Sequence, residues 1–374
     1  LIGDLLLTGS TGFVGMELLA RALERTDRQV ITLVRADGPA AAQARIDAVL
    51  ADLFGDRAAA YRDRVRALAG DLERPGLGLD SRVRAEVARR TTTIVHSAAA
   101  VSFTMGLKDA RAVNVAGTRN MLDLARLADR RGGLHCYAHI STAYVAGDHA
   151  GRFAEPDHDL GQGFHNTYEQ SKFEAERLVR ESELPARILR PSIIVGDRHS
   201  GWTSAFNVLY WPLRALSRGL FAAIPADPAS PVDAVSVDYV ADAVHALSHD
   251  LSPIAPGGET YHLTAGPHAA TLGEICAVAS RYFGRPAPRV LSPAQFAQLP
   301  ASGVARESAL EAGRIYFPYF TIGSRFSDAA TRARLEPAGI QASPLSDYLE
   351  RLLDFATRAR WGKLRIARAE AFAV

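Results

Sequence analysis

The sequence predicts an α/β chain: a doubly wound parallel sheet with a smaller, mostly helical C-terminal lobe. Three observations carry this. Short apolar, β-branched runs alternate with helical patterns over the first two-thirds of the chain, which is how a parallel sheet covered on both faces reads. A glycine-rich turn joins the first such run to the first helix. The alternation then fades after Gly196 into a Pro-containing apolar stretch and a mixed helical tail.

In order, Leu5 to Thr8 reads as a strand, since the apolar run from Leu1 to Leu7 is too short to span a membrane. Phe13 to Arg25 reads as a helix with Val14, Leu18, Leu19, Ala22 and Leu23 along one face. Val30 to Val34 is a second strand; Ala40 to Leu53 and Ala58 to Arg66 read as helical, with a third strand from Val65 to Gly70. Thr93 to His96 is a fourth strand, Asn114 to Ala128 a long helix, and His135 to Thr142 a fifth strand. Tyr168 to Glu181 is helical, and Ile188 to Val195 is a sixth strand interrupted by Pro191. Order returns at Val232 to Ala246 and Thr260 to Leu263.

Composition bounds the function. At 374 residues and 48% hydrophobic, the chain can bury a substantial core. A formal charge of +2 without a basic stripe argues against a nucleic-acid partner. No Cys/His cluster has ligand spacing, so no metal is expected. Cys136 and Cys276, with no secretory signal, read as buried free thiols of a reducing, cytoplasmic compartment. Lysine occurs only at positions 108, 172 and 363, so each lysine invites a reason. The first residue is Leu1 rather than Met, which leaves open a piece of a longer protein.

Gly9-Ser10-Thr11-Gly12-Phe13-Val14-Gly15 sits between strand and helix with the glycines at G-x-x-G-x-x-G. Gly9 suits the tight turn, Gly12 the approach of a pyrophosphate, and Gly15 close helix packing, with the helix N-terminus offering free N–H groups. This makes residues 1–200, with a returning segment 232–265, a Rossmann-type dinucleotide-binding domain, and residues 201–231 and 266–374 a substrate-binding lobe. Arg35 ends the second strand, 20 residues after Gly15. A carboxylate there would hold a ribose hydroxyl, whereas a guanidinium matches a 2′-phosphate, so NADPH is favoured. Asp37 leaves NAD open, and a solvated surface arginine is the plainer alternative.

Tyr168 and Lys172 stand at i and i+4, on one helix face. With 11 tyrosines and three lysines, chance gives about 0.09 such pairs. A nearby ammonium is expected to lower the phenol's pKa from its usual value of about 10, making Tyr168 a better proton donor to a carbonyl that receives hydride. At the end of the fifth strand, Ser141 and Thr142 offer hydroxyls to share the developing negative charge, Thr142 preferred, with strand-end capping as the alternative.

These residues, with Gly70-Asp71-Leu72, His96-Ser97-Ala98-Ala99, Asn114, Arg190-Pro191-Ser192 and the segment Val235 to Asp242, resemble the extended short-chain dehydrogenase/reductases. Leu33 to Ala36, Arg45, Leu77 to Asp80 and Asn166-Thr167-Tyr168 are similar to the fatty acyl-CoA reductases and to the terminal thioester reductase domains of carboxylic acid reductases and peptide synthetases. Tyr316 to Phe320 with Arg325 to Asp328 is reminiscent of acyl reductases. The resemblance implies Arg35 and Arg45 on the NADPH phosphate and Asp71 and Leu72 near adenine. It implies Ser97, Ala98, Ala99 and Asn114 along the cofactor, and Pro191, Ser192 and Ile194 bordering the nicotinamide. Thr142, Tyr168 and Lys172 would be the catalytic set, with Ser141 as the alternative hydroxyl.

The implied reaction is NADPH-dependent reduction of an acyl thioester, carried by CoA or by an acyl carrier protein, to an aldehyde and on to an alcohol if a second hydride follows. Phe206, Val208, Leu209, Tyr210, Trp211, Leu213, Leu216, Leu220 and Phe221 would line an acyl pocket, or equally pack the lobes together. Two rivals share the landmarks: a nucleotide-sugar epimerase or hydroxysteroid dehydrogenase of the same fold, and a non-catalytic NADP-binding sensor. The basic tail (Arg358, Arg360, Lys363, Arg365, Arg368) would face an acidic carrier domain or a membrane surface or, more simply, solvent.

Overall fold

The computed structural model describes residues 3–206, 208–220, 222–255, 257–298, 315–320 and 323–373. Seven strands form one sheet: β1 (Asp4–Thr8), β2 (Val30–Val34), β3 (Val65–Ala69), β4 (Thr91–His96), β5 (Cys136–Ile140), β6 (Ala186–Pro191) and β7 (Glu259–Leu263). All run parallel, in the spatial order β7-β6-β5-β4-β1-β2-β3. The order reverses between β1 and β4, and a crevice opens there at the strands' C-terminal ends. β1, β2 and β5 are buried at every residue, which explains their mostly apolar sequences.

Helices cover both faces. α1 (Phe13–Arg25), α2 (Pro39–Phe54) and, later in the chain, Val237–His249 bury Leu19, Ile46 and Val240 against one face. α3 (Ser81–Arg90) and α4 (Gly117–Gly132) bury Val87, Met121 and Leu122 against the other. α3 has no counterpart in the sequence reading. Only Val87 and Ala88 of its ten residues are buried and half of the rest is arginine, so its apolar stripe is too thin to read. Residues 58–66 also differ from the expected helix: only Ala59–Arg62 is helical, because β3 takes over at Val65. The expected helix from Asn114 begins as a π-type turn, Ala112–Ala116, that leads into α4.

The catalytic helix of the sequence reading is α5 (Thr167–Arg180), capped by Asn166, whose side chain accepts from the Glu169 N–H at 3.0 Å. The sixth strand is cut as expected at Pro191: Ile193–Val195 leaves the main sheet and pairs with Ala234–Ser236. A second core lies in the C-terminal lobe, where α6 (Tyr210–Ser217), α7 (Leu272–Phe283) and α8 (Leu349–Arg358) enclose Leu213, Ile275, Leu352 and Leu353. The lobe is stitched back to the sheet domain. Ser324–Phe326 pairs with Gly151–Phe153, and in the tail Arg365 and Arg368 bond Asp52 and Glu17 at 2.7 and 2.5 Å. Two of the tail's five basic residues are thus committed to the protein itself, while Arg358, Arg360 and Lys363 stay exposed. Cys136 and Cys276 are buried and unpaired. No described helix is long and apolar enough to cross a membrane.

Candidate active site

The turn after β1 shows what each of its three glycines does. Gly9 has φ +77°, and a Cβ there would meet Ala98 N at 2.8 Å. A Cβ on Gly15 would lie 1.9 Å from the Gly9 carbonyl oxygen, so α1 can approach its own turn only without one. At Gly12 a Cβ would meet the Gly9 carbonyl oxygen at 3.3 Å, a tight contact but the one atom within 4 Å, so the turn is otherwise open on that side. No side chain caps α1. The turn is therefore a cradle with free N–H groups facing an accessible space, the form that suits a pyrophosphate.

That space is a cavity of about 320 Å³ at the sheet's C-terminal edge. Of the sequence-nominated residues it is bordered by Gly9, Gly12, Phe13, Val14 and Gly15, by Ser97 and Ala99, by Pro191, Ser192 and Ile194, and by Ser141, Thr142, Tyr168 and Lys172. Strand ends of β1, β4, β5 and β6 and the first turns of α1 and α5 thus meet at one place.

The nominated residues outside the cavity fall into two groups. Arg35, Arg45, Asp71 and Leu72 lie beyond it, at the β2–β3 side. The Arg45 guanidinium donates to the Arg35 carbonyl at 2.5 Å, and the Arg35 side chain, 78% exposed, stands 3.9 Å from Glu73. Asp71 accepts from the Glu73 N–H, and Leu72 offers its carbonyl to Asn120. The two arginines are neighbours on an open surface, as a phosphate site requires, but with a carboxylate beside them that sequence reasoning did not weigh. The second group is internal. Asn114 is buried; its amide bonds both the N–H and the carbonyl of Ala100, and also Ser171. It shapes the loop after β4 rather than bordering the cavity. Ala98 donates its N–H to Thr8, Ser10 is buried with its hydroxyl unpartnered among the described residues, and Thr11 is exposed.

The chemistry-bearing side chains separate clearly. The Ser141 hydroxyl donates to Glu176 Oε2 at 2.8 Å and is turned away from the site's chemistry. The Thr142 hydroxyl accepts from the Tyr144 N–H at 3.3 Å and lies 3.4 Å from the Pro191 carbonyl, both long contacts, so it caps a turn and still faces the cavity. Tyr168 behaves differently from expectation. Burial pushes its pKa up to about 12, with the Thr142 hydroxyl pulling the other way. Lys172 is not what tunes it: the ammonium is itself buried, donates to the Ile140 carbonyl at 2.7 Å, and has its own pKa lowered to about 8 by burial. Tyr168 is therefore held as the neutral phenol, a proton donor, beside a hydroxyl and an ammonium.

Beneath these groups Glu176, fully buried, pairs with Arg190 at 2.6 Å. Burial is the largest influence and raises its pKa, but the charge and hydrogen bonds of Arg190 together with the charge of Arg180 outweigh it and hold the carboxylate well below its usual range.

Several cavity residues escaped sequence reasoning. Phe103 stacks on Tyr319 at 5.1 Å and stands 5.9 Å from the Tyr168 ring. Tyr319 comes from the C-terminal lobe and donates its hydroxyl to Glu169 at 2.7 Å, tying the lobe to α5 beside Tyr168. Its place in the aromatic run 316–320 was a signal; Phe103 had none. The expected acyl pocket is mostly core instead. Leu209, Tyr210, Leu213 and Leu216 are buried in the lobe, and the void that Leu209, Leu213 and Leu216 border is about 30 Å³. Val208 alone of that run borders the catalytic cavity, and Phe221 lies outside the described residues.

Comparison with known proteins agrees with this architecture. A family model described as male sterility protein, an NAD-binding family, matches residues 7–244. The isonitrile lipopeptide synthase of Streptomyces coeruleorubidus is 38% identical over 254 residues, covering 66% of this chain and 17% of that protein. Fatty acyl-CoA reductase wat of Drosophila melanogaster is 29% identical over 285 residues, covering 66% of this chain and 54% of its own length. The chain thus spans about half or less of these curated relatives. Among solved structures, the terminal R domain from the myxalamid PKS-NRPS biosynthetic pathway aligns with a TM-score of 0.81 at 26% identity, covering 98% of this chain and 93% of that one.

Proposed function

The chain belongs to the male sterility protein family, within the thioester reductase subgroup of the extended short-chain dehydrogenase/reductases, and from that premise we propose that it reduces an acyl thioester to an aldehyde at the expense of NADPH. The observation that carries this is the convergence of Thr142, Tyr168 and Lys172 on one cavity that the glycine cradle also lines. The bound nicotinamide would supply hydride to the thioester carbonyl. Gly9, Gly12 and Gly15 would hold the pyrophosphate against α1, with Ser97, Ala99, Pro191, Ser192 and Ile194 along its path. Lys172 would reach the nicotinamide ribose. Arg35 and Arg45 would take the 2′-phosphate, which is the reason for preferring NADPH over NADH.

The residues' work follows from their states. As the carbonyl carbon gains hydride, its oxygen gains negative charge. The Thr142 hydroxyl is placed to share that charge, and Tyr168 to donate its proton to the oxygen. The hemithioacetal that results breaks its C–S bond and leaves as an aldehyde and a thiol. A second round on the aldehyde would give an alcohol. Water exclusion falls to the Phe103–Tyr319 stack above the phenol. Residues 201–231 and 266–374 serve in this reading as the substrate lobe, the thioester is borne by CoA or a carrier protein, and the compartment is the cytoplasm.

The test is to follow absorbance of NADPH, and separately NADH, with acyl-CoA and carrier-bound thioesters and to identify the products. Faster oxidation of NADPH with release of thiol and aldehyde is expected. No oxidation of either cofactor with either thioester class overturns the proposal, and equal use of NADH overturns the role given to Arg35 and Arg45.

A further inference from the structure

Lys172 is the buried lysine of the three, 3% exposed, while Lys108 and Lys363 are exposed. A buried ammonium has three N–H donors to place. One goes to the Ile140 carbonyl at 2.7 Å. A second meets Nε2 of His139, the preceding residue of β5, at 3.4 Å. An ammonium has no lone pair, so Nε2 must be the acceptor and the ring proton sits on Nδ1. That Nδ1 is buried and has no partner among the described residues. An apolar ring of similar size would fill the same space without burying an unmet donor. Packing alone therefore does not account for an imidazole here; the contact to Lys172 does.

The surroundings keep His139 in this role. Burial and the charge of Lys172 hold its pKa well below the usual range, so it stays a neutral acceptor. Its neighbour His96, 5.5 Å away between ring centres, has both nitrogens engaged, by Thr8 at 2.8 Å and Thr118 at 3.3 Å. The other ionisable groups near Lys172 are Tyr168 and Glu176 on α5, and Arg190 on β6, which is paired to Glu176. Glu176 favours the charged ammonium but makes no hydrogen bond with it among those described.

We propose that His139 is a positioning residue of this site: its Nε2 and the Ile140 carbonyl fix two N–H groups of Lys172, so that the third is left for the cavity. Its consequence for turnover rests on the reductase reading above, whereas the contact does not.

Three lysines make the test direct. Protein labelled with ¹³C at lysine Cε gives three side-chain signals, one of them buried, whose titration is read without cofactor or substrate. Removing an acceptor from a charged donor disfavours the charged form. The Lys172 midpoint should therefore fall by about half a pH unit or more in His139→Phe and His139→Leu, and return close to wild type in His139→Gln, whose carboxamide oxygen also accepts. Two apolar variants guard against one failing to fold. Equal midpoints in the apolar and Gln variants, or no movement in the apolar ones, would overturn the contact. In turnover, the apolar variants should lose roughly tenfold in kcat with thioester KM unchanged, and Gln should recover it; wild-type kcat in a folded apolar variant would overturn the positioning role. If wild-type protein reduces no thioester, the reductase reading fails, and the midpoints still decide the assignment of His139.

Discussion

Glu176→Gln is the sharpest probe of what supports this site. α5 places Tyr168, Lys172 and Glu176 on one face at successive four-residue steps. The Glu176 carboxylate, with no exposure, accepts from Arg190 Nη2 at 2.6 Å and Nε at 3.0 Å, from Arg180 Nε at 3.0 Å, and from Ser141 at 2.8 Å. Gln keeps the shape and removes the charge. Arg190, also fully buried, would be left with neutral acceptors only: the carbonyls of Glu155 and Asp157 and the ring of His262. Removing one member of a buried ion pair costs about 3–5 kcal/mol, because the other charge stays desolvated. That is a large part of a typical stability of about 5–15 kcal/mol. The sign with pH follows from the depressed carboxyl. The stabilisation is complete above its ordinary pKa of 4.5 and is lost as pH falls from there toward 2. Urea unfolding of wild type and E176Q near neutral pH should show the full difference, and the gap should narrow as the medium is acidified. A double replacement, Glu176→Leu with Arg190→Met, should recover much of the loss, since neither charge is then stranded. A loss in E176Q below about 1 kcal/mol near neutrality, or a gap that widens in acid, would refute the reasoning.

Other perturbations separate roles that look alike in sequence. Gly15→Ala puts a Cβ 1.9 Å from the Gly9 oxygen and should destabilise the folded protein itself, whereas Gly12→Ala, whose Cβ would stand 3.3 Å from the same oxygen, should cost far less thermal stability and mainly weaken dinucleotide binding measured by fluorescence titration. Thr142→Val should lower kcat by roughly 10²–10³ and Tyr168→Phe by about 10²–10⁴, both with folding intact by circular dichroism. Ser141→Ala, which loses its bond to Glu176, should show its effect in unfolding experiments and only a small change in kcat. For Lys172→Met, the lysine pKa drop from 10.5 to about 8 means the unfolded chain holds a proton that the folded one has released. Wild-type stability should thus rise between those pH values, by up to about 3 kcal/mol, and the inactive Met variant should lack the rise in pH-dependent urea melts.

Much of the scaffold was legible because its signals are local. β1, β2 and β5 are buried on both faces, so their sequences are mostly apolar, and the spacing of the three glycines lies within seven residues of chain. Tyr168 and Lys172 share a face simply because α5 is a helix. α3 escaped because its buried side is little more than Val87 and Ala88. What the sequence by itself determined was thus the parallel fold, the cradle, and the pairing of a phenol with an ammonium. Only the tertiary structure decided where each polar hydrogen goes: Ser141 to Glu176, 35 residues on, Tyr319 to Glu169, 150 residues back, and Lys172 to the backbone and His139 rather than toward the phenol. It also decided that Leu209, Leu213 and Leu216 fill a core instead of lining a channel. The physical reason is common to all of these. Periodicity states which face a residue occupies, but burial makes a donor or an apolar surface seek whatever partner the fold brings near, and that partner comes from elsewhere in the chain.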